Sequence, residues 1–323
     1  MIEVNDGIRV KDMDLWLDAA RKKKLSFISH AHSDHIRNHE EIITSENTAR
    51  LLLNRGIKGS IIALPFHQPM DVAGGRVTLF PSGHILGSAQ IMIETKGGIN
   101  IVYTGDLKVL KGETAERVEI RQCDILIIES TYGDPFYVFP EREEVISQLI
   151  SFVQDSIREK CLPVIFAYPL GKAQEVTRIL LNHDYTPLVH PYISAISAVY
   201  EDLGVDLSGY KTFHAERQCQ PGSVLIFPRG ARGELDHVEK KKTAMVTGWA
   251  LDRDARYRFG VDTTIPLSDH ADYAELVGYI MVARPQKVYT THGSPKLASI
   301  LSSRGIDAKH LEGAFVKGGW EDT

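Results

Sequence analysis

The sequence predicts an α/β protein with a β-rich first part and a later part in which strands alternate with helices. Short apolar runs bounded by Gly, Pro and Asp fill the first 135 residues, a pattern typical of strands. Apolar residues at helical spacing then appear over 140–160, and strand and helix patterns alternate from there onward. This alternation predicts a parallel sheet in the second part of the fold.

The individual elements follow from the same patterns. In the first part we predict strands over 25–28, 77–80, 89–94, 99–103 and 125–128. One helix interrupts them over 40–54, with its N-cap near Thr44 or Ser45. After the helix at 140–160 we predict strands over 163–168, 187–190, 223–227 and 287–291. Further helices are predicted over 172–182, 194–203, 273–283 and 295–303.

The composition is that of an ordinary globular protein. Of the 323 residues, 43% are hydrophobic, which is enough for a sizeable core. The net charge of -5 excludes a globally basic nucleic-acid binder but leaves room for a local basic groove. The three cysteines are far apart in sequence, so no disulfide framework or Cys-x-x-Cys metal site is indicated. No signal-peptide pattern and no membrane-spanning stretch are evident, so we expect a cytoplasmic protein without membrane contact.

Four metal-competent side chains, His30, His32, Asp34 and His35, lie within six residues directly after the first predicted strand. Imidazole nitrogen and carboxylate oxygen are ligands that Zn²⁺ accepts. Because side chains alternate along an extended chain, His30 and His32 lean the same way and can share one ion. A turn after them would direct Asp34 and His35 toward a second ion. The alternative is a surface loop rich in His by chance, and three His in six residues, against 13 in the chain, weigh against it.

Three further segments share one design, in which an apolar strand ends in a metal-competent side chain close to Gly. They end at His84, Asp106 and His292. Catalytic residues collect in loops at strand ends, and a neighbouring Gly lets the backbone approach an ion closely. Each segment is a weak signal by itself, because a single strand-end His is more often a structural residue. Together with the first cluster they supply seven ligands, enough for two ions that share one carboxylate.

Six short motifs occur in order along nearly the whole chain. They are His-Ala-His-Ser-Asp-His at 30–35, Gly-His-Ile-Leu-Gly-Ser-Ala at 83–89, Thr-Gly-Asp at 104–106, Glu-Ser-Thr-Tyr-Gly at 129–133, Leu-Ser-Asp-His-Ala-Asp at 267–272 and Thr-His-Gly at 291–293. This set resembles the metallo-β-lactamase fold in its nucleic-acid-processing branch with a β-CASP insertion. The resemblance implies a four-layer αββα sandwich with an inserted α/β domain. It places the first part of the sandwich at 1–135, the β-CASP cap at 136–250 and the return to the sandwich at 251–323.

The resemblance also implies the ligand sets and the catalytic residues. One Zn²⁺ would be held by His30, His32, His84 and Asp106, and the second by Asp34, His35, Asp106 and His292, with Mn²⁺ as the alternative metal. Two such ions suit phosphodiester hydrolysis, because they acidify water and stabilise charge on the phosphate. We expect His270 to be the general acid, oriented by Glu129, and Asp34 or Asp106 to position the attacking hydroxide.

In relatives the cap closes over the metals and forms a groove for single-stranded nucleic acid. The segment 168–175 resembles the family's strand-to-helix turn, where Gly171 and a mobile Lys172 would bind phosphate, with an ordinary helix start as the alternative. Ser268 is a third substrate-binding candidate.

Aromatic and basic side chains between 229 and 258 add candidates for strand contacts. The five arginines there could contact the phosphate backbone, with solvated surface as the alternative. Trp249 and Tyr257 could stack on bases, but core packing is the favoured interpretation.

The choice between DNA and RNA as the substrate stays open at this point. A His at the position of His292 occurs in the RNA-cleaving members and also in compact prokaryotic exonucleases described as ligase-associated, which are assigned to DNA. This chain resembles those exonucleases in length and in several segments. We therefore expect an exonuclease acting on single strands, with DNA slightly preferred and RNA processing as the alternative. A DNA ligase, a helicase or RNA-processing factors are the partners this implies, and a homodimer is compatible with it.

Other function classes are less favoured. A small-molecule hydrolase of the same fold needs neither the long insert nor the pair of Glu129 and His270. A catalytically silent scaffold subunit would have lost metal ligands, and none is missing. The chain lacks a Gly-x-Ser-x-Gly elbow and a Walker loop, so a serine hydrolase or a P-loop enzyme is not indicated.

Overall fold

The computed structural model describes residues 2–4, 6–214 and 222–312. Contacts within the chain divide it into two compact units. Among the described residues, the first unit comprises those up to Val138 together with 270–312, and the insert unit is Phe139–Asp269. The second junction lies later than the predicted residue 250, because strand Thr263–Ile265 continues the sheet of the insert unit by pairing with Lys241–Val246.

The described residues form strands and helices in the following order. The strands are β1 (Ile2–Val4), β2 (Ile8–Val10), β3 (Leu15–Leu17), β4 (Leu25–Phe27), β5 (Glu41–Ser45), β6 (Ser60–Leu64), β7 (Met70–Val72), β8 (Gly75–Pro81), β9 (Ala89–Thr95), β10 (Asn100–Tyr103), β11 (Ile125–Ser130), β12 (Leu162–Phe166), β13 (Pro187–Val189), β14 (Lys211–Thr212), β15 (Val224–Phe227), β16 (Lys241–Val246), β17 (Thr263–Ile265), β18 (Lys287–Gly293) and β19 (Ala308–His310). The α-helices are α1 (Glu46–Asn54), α2 (Arg142–Arg158), α3 (Lys172–Leu181), α4 (Pro191–Asp202), α5 (Ala255–Phe259), α6 (Tyr273–Ala283) and α7 (Lys296–Ser303). Short 3₁₀ helices cover Lys11–Met13, Arg229–Leu235 and Gly248–Leu251.

Two sheets pack face to face in the first unit. One has the strand order β1-β2-β3-β4-β5-β6 and the other β19-β18-β11-β10-β9-β8-β7. Apolar side chains from both sheets share one core, to which Phe27 and Ile43 contribute from the first sheet and Ile91 and Tyr103 from the second. Because successive side chains of a strand point to opposite faces, each sheet also has an outer face that must be covered.

Helices cover these outer faces. Helix α1 packs on β5 and β6 and buries Leu51 and Leu52. On the other side, α6 and α7 bury Leu276 and Leu297 against Val102 and other side chains of the second sheet. The predicted α/β class with the layer order αββα is confirmed in this unit.

The insert unit contains a six-stranded sheet with the order β14-β13-β15-β12-β16-β17. All its pairings are parallel, as the alternation of strands and helices predicted. Helices α2, α3 and α4 bury Leu149, Val176 and Ile193 on one face. Phe213, Leu235 and Phe259 cover the other face.

The prediction of a single helix over 40–54 is wrong in its first part. Residues Glu41–Ser45 form β5, which pairs in parallel with β4 and β6 and buries Ile42 and Ile43. Ser45 then caps α1, since its Oγ accepts a hydrogen bond from the N–H of Thr48 at 3.1 Å. The β-branched run Ile-Ile-Thr favours a strand and could have marked the boundary.

Among the residues that the structure describes, none of the helices combines the length and the hydrophobicity needed to cross a lipid bilayer.

Candidate metal centre and active site

The predicted ligands lie where strands of the first unit end. His30 and His32 follow β4, His84 follows β8, Asp106 follows β10 and His292 is the last residue but one of β18. Strand ends of a packed sandwich are rigidly held, so side chains placed there keep fixed distances from one another.

Three ring nitrogens and one carboxylate oxygen converge beyond the end of β4. The Nδ1 of His32 lies 3.1 Å from the Nε2 of His30 and 3.1 Å from the Nε2 of His84. The Oδ2 of Asp106 lies 3.6 Å and 3.8 Å from these two Nε2 atoms. A tetrahedral site with Zn²⁺–ligand bonds of about 2.0–2.1 Å has ligand-to-ligand distances of about 3.3–3.4 Å. The four atoms therefore fit a zinc-sized divalent cation.

A second cluster shares Asp106 with the first. The Nε2 of His35 lies 3.4 Å from the Oδ2 of Asp106, and the Nδ1 of His292 lies 3.9 Å from its Oδ1. That Oδ1 is buried and accepts no hydrogen bond from any residue that the structure describes. A buried carboxylate oxygen without a donor is costly, and a cation would satisfy it.

Asp34 lies at the rim of the second cluster. Its Oδ2 is 3.6 Å from the Nε2 of His35, and its side chain is 44% exposed. The structure thus brings six of the seven predicted ligands into two tight clusters joined by Asp106, with Asp34 beside the second. The donor set fits divalent metal ions, while the role of each residue as a ligand stays a prediction.

Irregular backbone conformations orient two of these ligands, His292 and Asp106. Opposite β11, the register of β18 shifts so that Glu129 pairs with Thr291 and Ser130 pairs with Gly293, which leaves His292 as a bulge with φ of 48°. Gly105, just before Asp106, has φ of 54°, and a Cβ there would lie 2.5 Å from the Cβ of Ser29. Only glycine fits at that position, which explains the Thr-Gly-Asp motif.

The electrostatics of the two clusters favour cation binding. Burial lowers the pKa of His30 well below its ordinary value and also lowers the pKa of His292, which favours the neutral ring, the form that binds a metal. Burial raises the pKa of Asp106, but the neighbouring histidines His35, His270 and His30 together hold that pKa well below its usual range. Burial likewise lowers the pKa of His35, yet Asp106, Asp34 and Asp18 together raise it well above its ordinary value. A bound cation would take the place of the proton on His35.

Asp18 is a buried carboxylate that the sequence analysis missed. Its Oδ2 lies 2.9 Å from the Nδ1 of His35 and accepts hydrogen bonds from the Ser29 hydroxyl at 2.6 Å and the Tyr103 hydroxyl at 2.7 Å. Its Oδ1 accepts a hydrogen bond from the N–H of Ser29 at 2.8 Å. An Nδ1–H donated to Asp18 leaves the Nε2 of His35 facing Asp106, which is the tautomer a metal ligand needs. The one available signal was its position directly after the apolar strand β3.

Glu129 and His270 form a pair beside the first cluster. The Nδ1 of His270 lies 3.0 Å and 3.1 Å from the two carboxylate oxygens of Glu129, and Glu129 also accepts a hydrogen bond from the N–H of Leu107 at 2.6 Å. Glu129 is fully buried, and the ring centroids of His270 and His84 are 4.5 Å apart. The pair therefore fixes the orientation of the His270 ring next to the ligand set.

Comparison with known proteins agrees with this geometry. Residues 258–314 match the family model described as Zn-dependent metallo-hydrolase RNA specificity domain. The chain is 37% identical over 312 residues, 95% of its length, to a probable DNA ligase of Opitutus terrae. It is 31% identical over 306 residues, 82% of its length, to the DNA cross-link repair protein SNM1 of Arabidopsis thaliana. It is 38% identical over 124 residues, 37% of its length, to the cleavage and polyadenylation specificity factor 73 of Drosophila melanogaster.

The chain belongs to the metallo-β-lactamase/β-CASP nuclease family. The predicted membership is thereby confirmed. The chain spans 30%, 60% and 17% of the three relatives, respectively, so each of them is a longer protein than the segment it shares.

In the β-CASP insert, the polar groups of the predicted phosphate-binding turn already bind other residues of the protein. The Nζ of Lys172 lies 2.7 Å from the Oδ1 of Asp269, and the side chain is only 10% exposed. The N–H of Gly171 donates to the Oε1 of Gln174 at 2.7 Å, and Ser268 is buried. Lys172 is therefore not the mobile cation that we expected, because its ion pair holds it. Substrate binding by these residues stays a prediction.

The two aromatic candidates of the β-CASP insert differ from each other. Trp249 packs against the core on one face of the sheet, as favoured from the sequence. Tyr257 is 74% exposed, so core packing is the wrong interpretation for it. A short amphipathic helix such as α5 buries only one side, and Tyr257 lies on the other.

Proposed function

We propose that the protein is a metal-dependent nuclease that hydrolyses phosphodiester bonds of single-stranded nucleic acid, as an exonuclease, with DNA preferred over RNA. The observation that carries this proposal is the arrangement, within one unit, of two ligand clusters joined by Asp106 next to the pair of Glu129 and His270.

The two clusters divide the metal ligands between two divalent cations, with zinc as the favoured metal. The first would be held by His30, His32, His84 and Asp106, and the second by Asp34, His35, Asp106 and His292. When bound, such cations acidify water and neutralise the charge that develops on a phosphodiester.

His270, oriented by Glu129, supplies the proton that the leaving group needs. The Nδ1 of His270 is engaged by Glu129, so the Nε2 is the ring atom that can give a proton to the departing sugar oxygen. Glu129 stabilises the positive charge of the protonated ring and fixes its orientation, since its own carboxylate is held by the N–H of Leu107.

The preference for DNA is supported by the extent of the alignments. The relatives named probable DNA ligase and DNA cross-link repair protein align over 95% and 82% of this chain, whereas the polyadenylation factor aligns over 37%. RNA is the second candidate substrate, favoured by the match of residues 258–314 to a domain described by its RNA specificity.

The experiment compares purified wild-type protein with Asp34→Ala and His270→Ala on single-stranded DNA and RNA of equal length, labelled at either end, with Zn²⁺ or Mn²⁺. We expect stepwise shortening of the DNA by the wild type, no activity after chelation, and loss of activity in both variants. Arg76→Gln is the control, since Arg76 pairs with Asp71 on the exposed face of a hairpin and should leave activity unchanged.

Each outcome decides part of the proposal. Faster cleavage of RNA would replace DNA by the second candidate, and internal cuts would replace exonuclease by endonuclease action. Full activity in both variants would refute the site, and hydrolysis of a small ester with neither polymer cleaved would refute the nuclease.

A further inference from the structure

Five arginines gather around α5 on the insert unit. Arg256 and Arg258 belong to the helix and Arg253 precedes it, while Arg229 and Arg232 come from the 3₁₀ helix Arg229–Leu235. The Nη2 of Arg229 donates to the carbonyl oxygen of Arg258 at 3.4 Å, and the Nη1 of Arg232 to that of Phe259 at 3.5 Å. These bonds join the two segments into one surface, which we call the arginine surface and define as the five arginines with Tyr257.

Most of the positive charge on the arginine surface is not neutralised. Arg258 pairs with Asp252 at 2.7 Å. Within the described part of the chain, Arg229, Arg232, Arg253 and Arg256 form no ion pair with a carboxylate, and the last three are exposed. The partners of Arg229 and Arg232 are carbonyl oxygens, which leave the full charge of each guanidinium available to an anion.

The arginine surface also presents a positioned aromatic ring. Tyr257 is 74% exposed, more than any other large hydrophobic side chain among the described residues. Arg256 holds it, because its Nη2 donates to the Tyr257 hydroxyl at 2.8 Å and its guanidinium lies 4.8 Å from the ring centroid. Below it, Arg229 and Arg258 lie over the ring of the buried Phe259 at 5.5 Å and 5.2 Å. The ring is therefore held in place by Arg256 with most of its surface open to a stacking partner.

We propose that the arginine surface binds single-stranded nucleic acid, with Tyr257 stacking on an unpaired base and the arginines contacting the flanking phosphates. Spaced guanidinium groups around a ring match the alternation of phosphate and base in a single strand. In duplex DNA the base faces are covered by their neighbours, so the ring would have no partner there. The inference rests on the proposed function and gives that nuclease a strand-binding surface on its insert unit.

The test measures binding without hydrolysis. Full-length protein in EDTA is titrated into fluorescein-labelled oligothymidylate and into an abasic strand of the same length, at several salt concentrations, with fluorescence anisotropy as the readout. Tyr257→Ala should bind oligothymidylate about fivefold or more weakly and should bind the abasic strand like the wild type. Arg232→Gln and Arg256→Gln should weaken binding to both strands and should each lower the slope of log affinity against log salt by about 0.7.

Matched controls separate this site from surface charge in general. Tyr192→Ala removes another half-exposed tyrosine of the insert unit, and Lys211→Gln removes one exposed charge from β14. Both should bind like the wild type. Circular dichroism of every variant shows whether it folds, and Tyr257→Phe keeps the ring and should retain stacking.

The outcomes decide the inference independently of catalysis. Wild-type affinity and salt dependence in Tyr257→Ala, Arg232→Gln and Arg256→Gln would overturn it. Equal weakening of intact and abasic strands by Tyr257→Ala, or tighter binding to duplex than to single strands, would overturn the assignment of Tyr257 as a stacking platform. If the metal-loaded wild type hydrolyses no polymer, the proposed function fails, while the binding measurements still decide this surface.

Discussion

Replacing Asp18 by Asn keeps the size of the side chain but removes its charge from beneath His35. Four hydrogen-bond donors surround the carboxylate: the Ser29 hydroxyl and N–H, the Tyr103 hydroxyl and the ring of His35. An amide has one oxygen and one NH₂ group. If its oxygen keeps the three donors on the Oδ2 side, its NH₂ group meets the N–H of Ser29, and two buried donors face each other.

The size of the effect follows from these contacts. Leaving a buried donor unsatisfied costs about 1–3 kcal/mol, so the free energy of unfolding of the metal-free protein should fall by that amount. Losing a carboxylate partner of a ligating histidine typically weakens metal binding about 10–100-fold. Zinc should therefore stabilise Asp18→Asn by about 1.4–2.7 kcal/mol less than it stabilises the wild type.

Two measurements separate these effects. Urea unfolding in EDTA gives the stability of the metal-free proteins, and competition with a chromophoric chelator gives the zinc affinity. Tyr103→Phe is the matched control, because it removes one donor to Asp18 but keeps the carboxylate and its contact with His35. It should lose about 1 kcal/mol of stability and keep its zinc affinity. Wild-type zinc affinity in Asp18→Asn would refute the claim that this carboxylate orients a ligand.

Three further predictions test other parts of the molecule. His270→Asn should lower kcat about 10²–10⁴-fold with zinc content unchanged by elemental analysis, and a parallel loss of zinc would instead make His270 a ligand. Burial lowers the pKa of His39 to about 4, so its stabilising contribution is complete above about pH 6.5 and is lost as the pH falls toward 4. Urea unfolding across that range should show a loss that is smaller by about 1–3 kcal/mol in His39→Gln, and identical pH profiles would contradict the burial argument. Burial raises the pKa of the Cys123 thiol to about 12, so iodoacetamide should label it only after unfolding, and mass spectrometry showing modification of Cys123 in the folded protein would be the contrary result.

The metal clusters could be predicted because their signals are local. Each ligand stands at the end of an apolar run and next to a short motif, so a few neighbouring residues reveal it. Asp18 follows the same design after β3, but it has no neighbouring histidine or glycine to draw attention to it. Its role arises only from contacts with residues far away along the chain, such as Tyr103.

The exposed or buried state of single side chains in the insert unit was harder to predict. Lys172 begins a helix, where lysine is usually solvated, and only the fold brings Asp269 to its ammonium group. For Tyr257 the error runs the other way, since core packing was favoured and the side chain is 74% exposed. In α5 the buried positions are taken by Ala255 and Phe259, four residues apart on one side, and Tyr257 lies between them on the exposed side.

The completeness of the metal centre depends on one long-range pairing. His292 is separated from the other ligands by the whole insert, and it returns to them only because β18 pairs in parallel with β11, from Ile125 opposite Lys287 to Ser130 opposite Gly293. Glu129 lies in β11 and belongs to the same pairing, so one strand interface positions both the ligand His292 and the partner of His270. Changes that shift this register would disturb the second cluster and the catalytic pair together, while the first cluster, built beyond β4, β8 and β10, would keep its geometry.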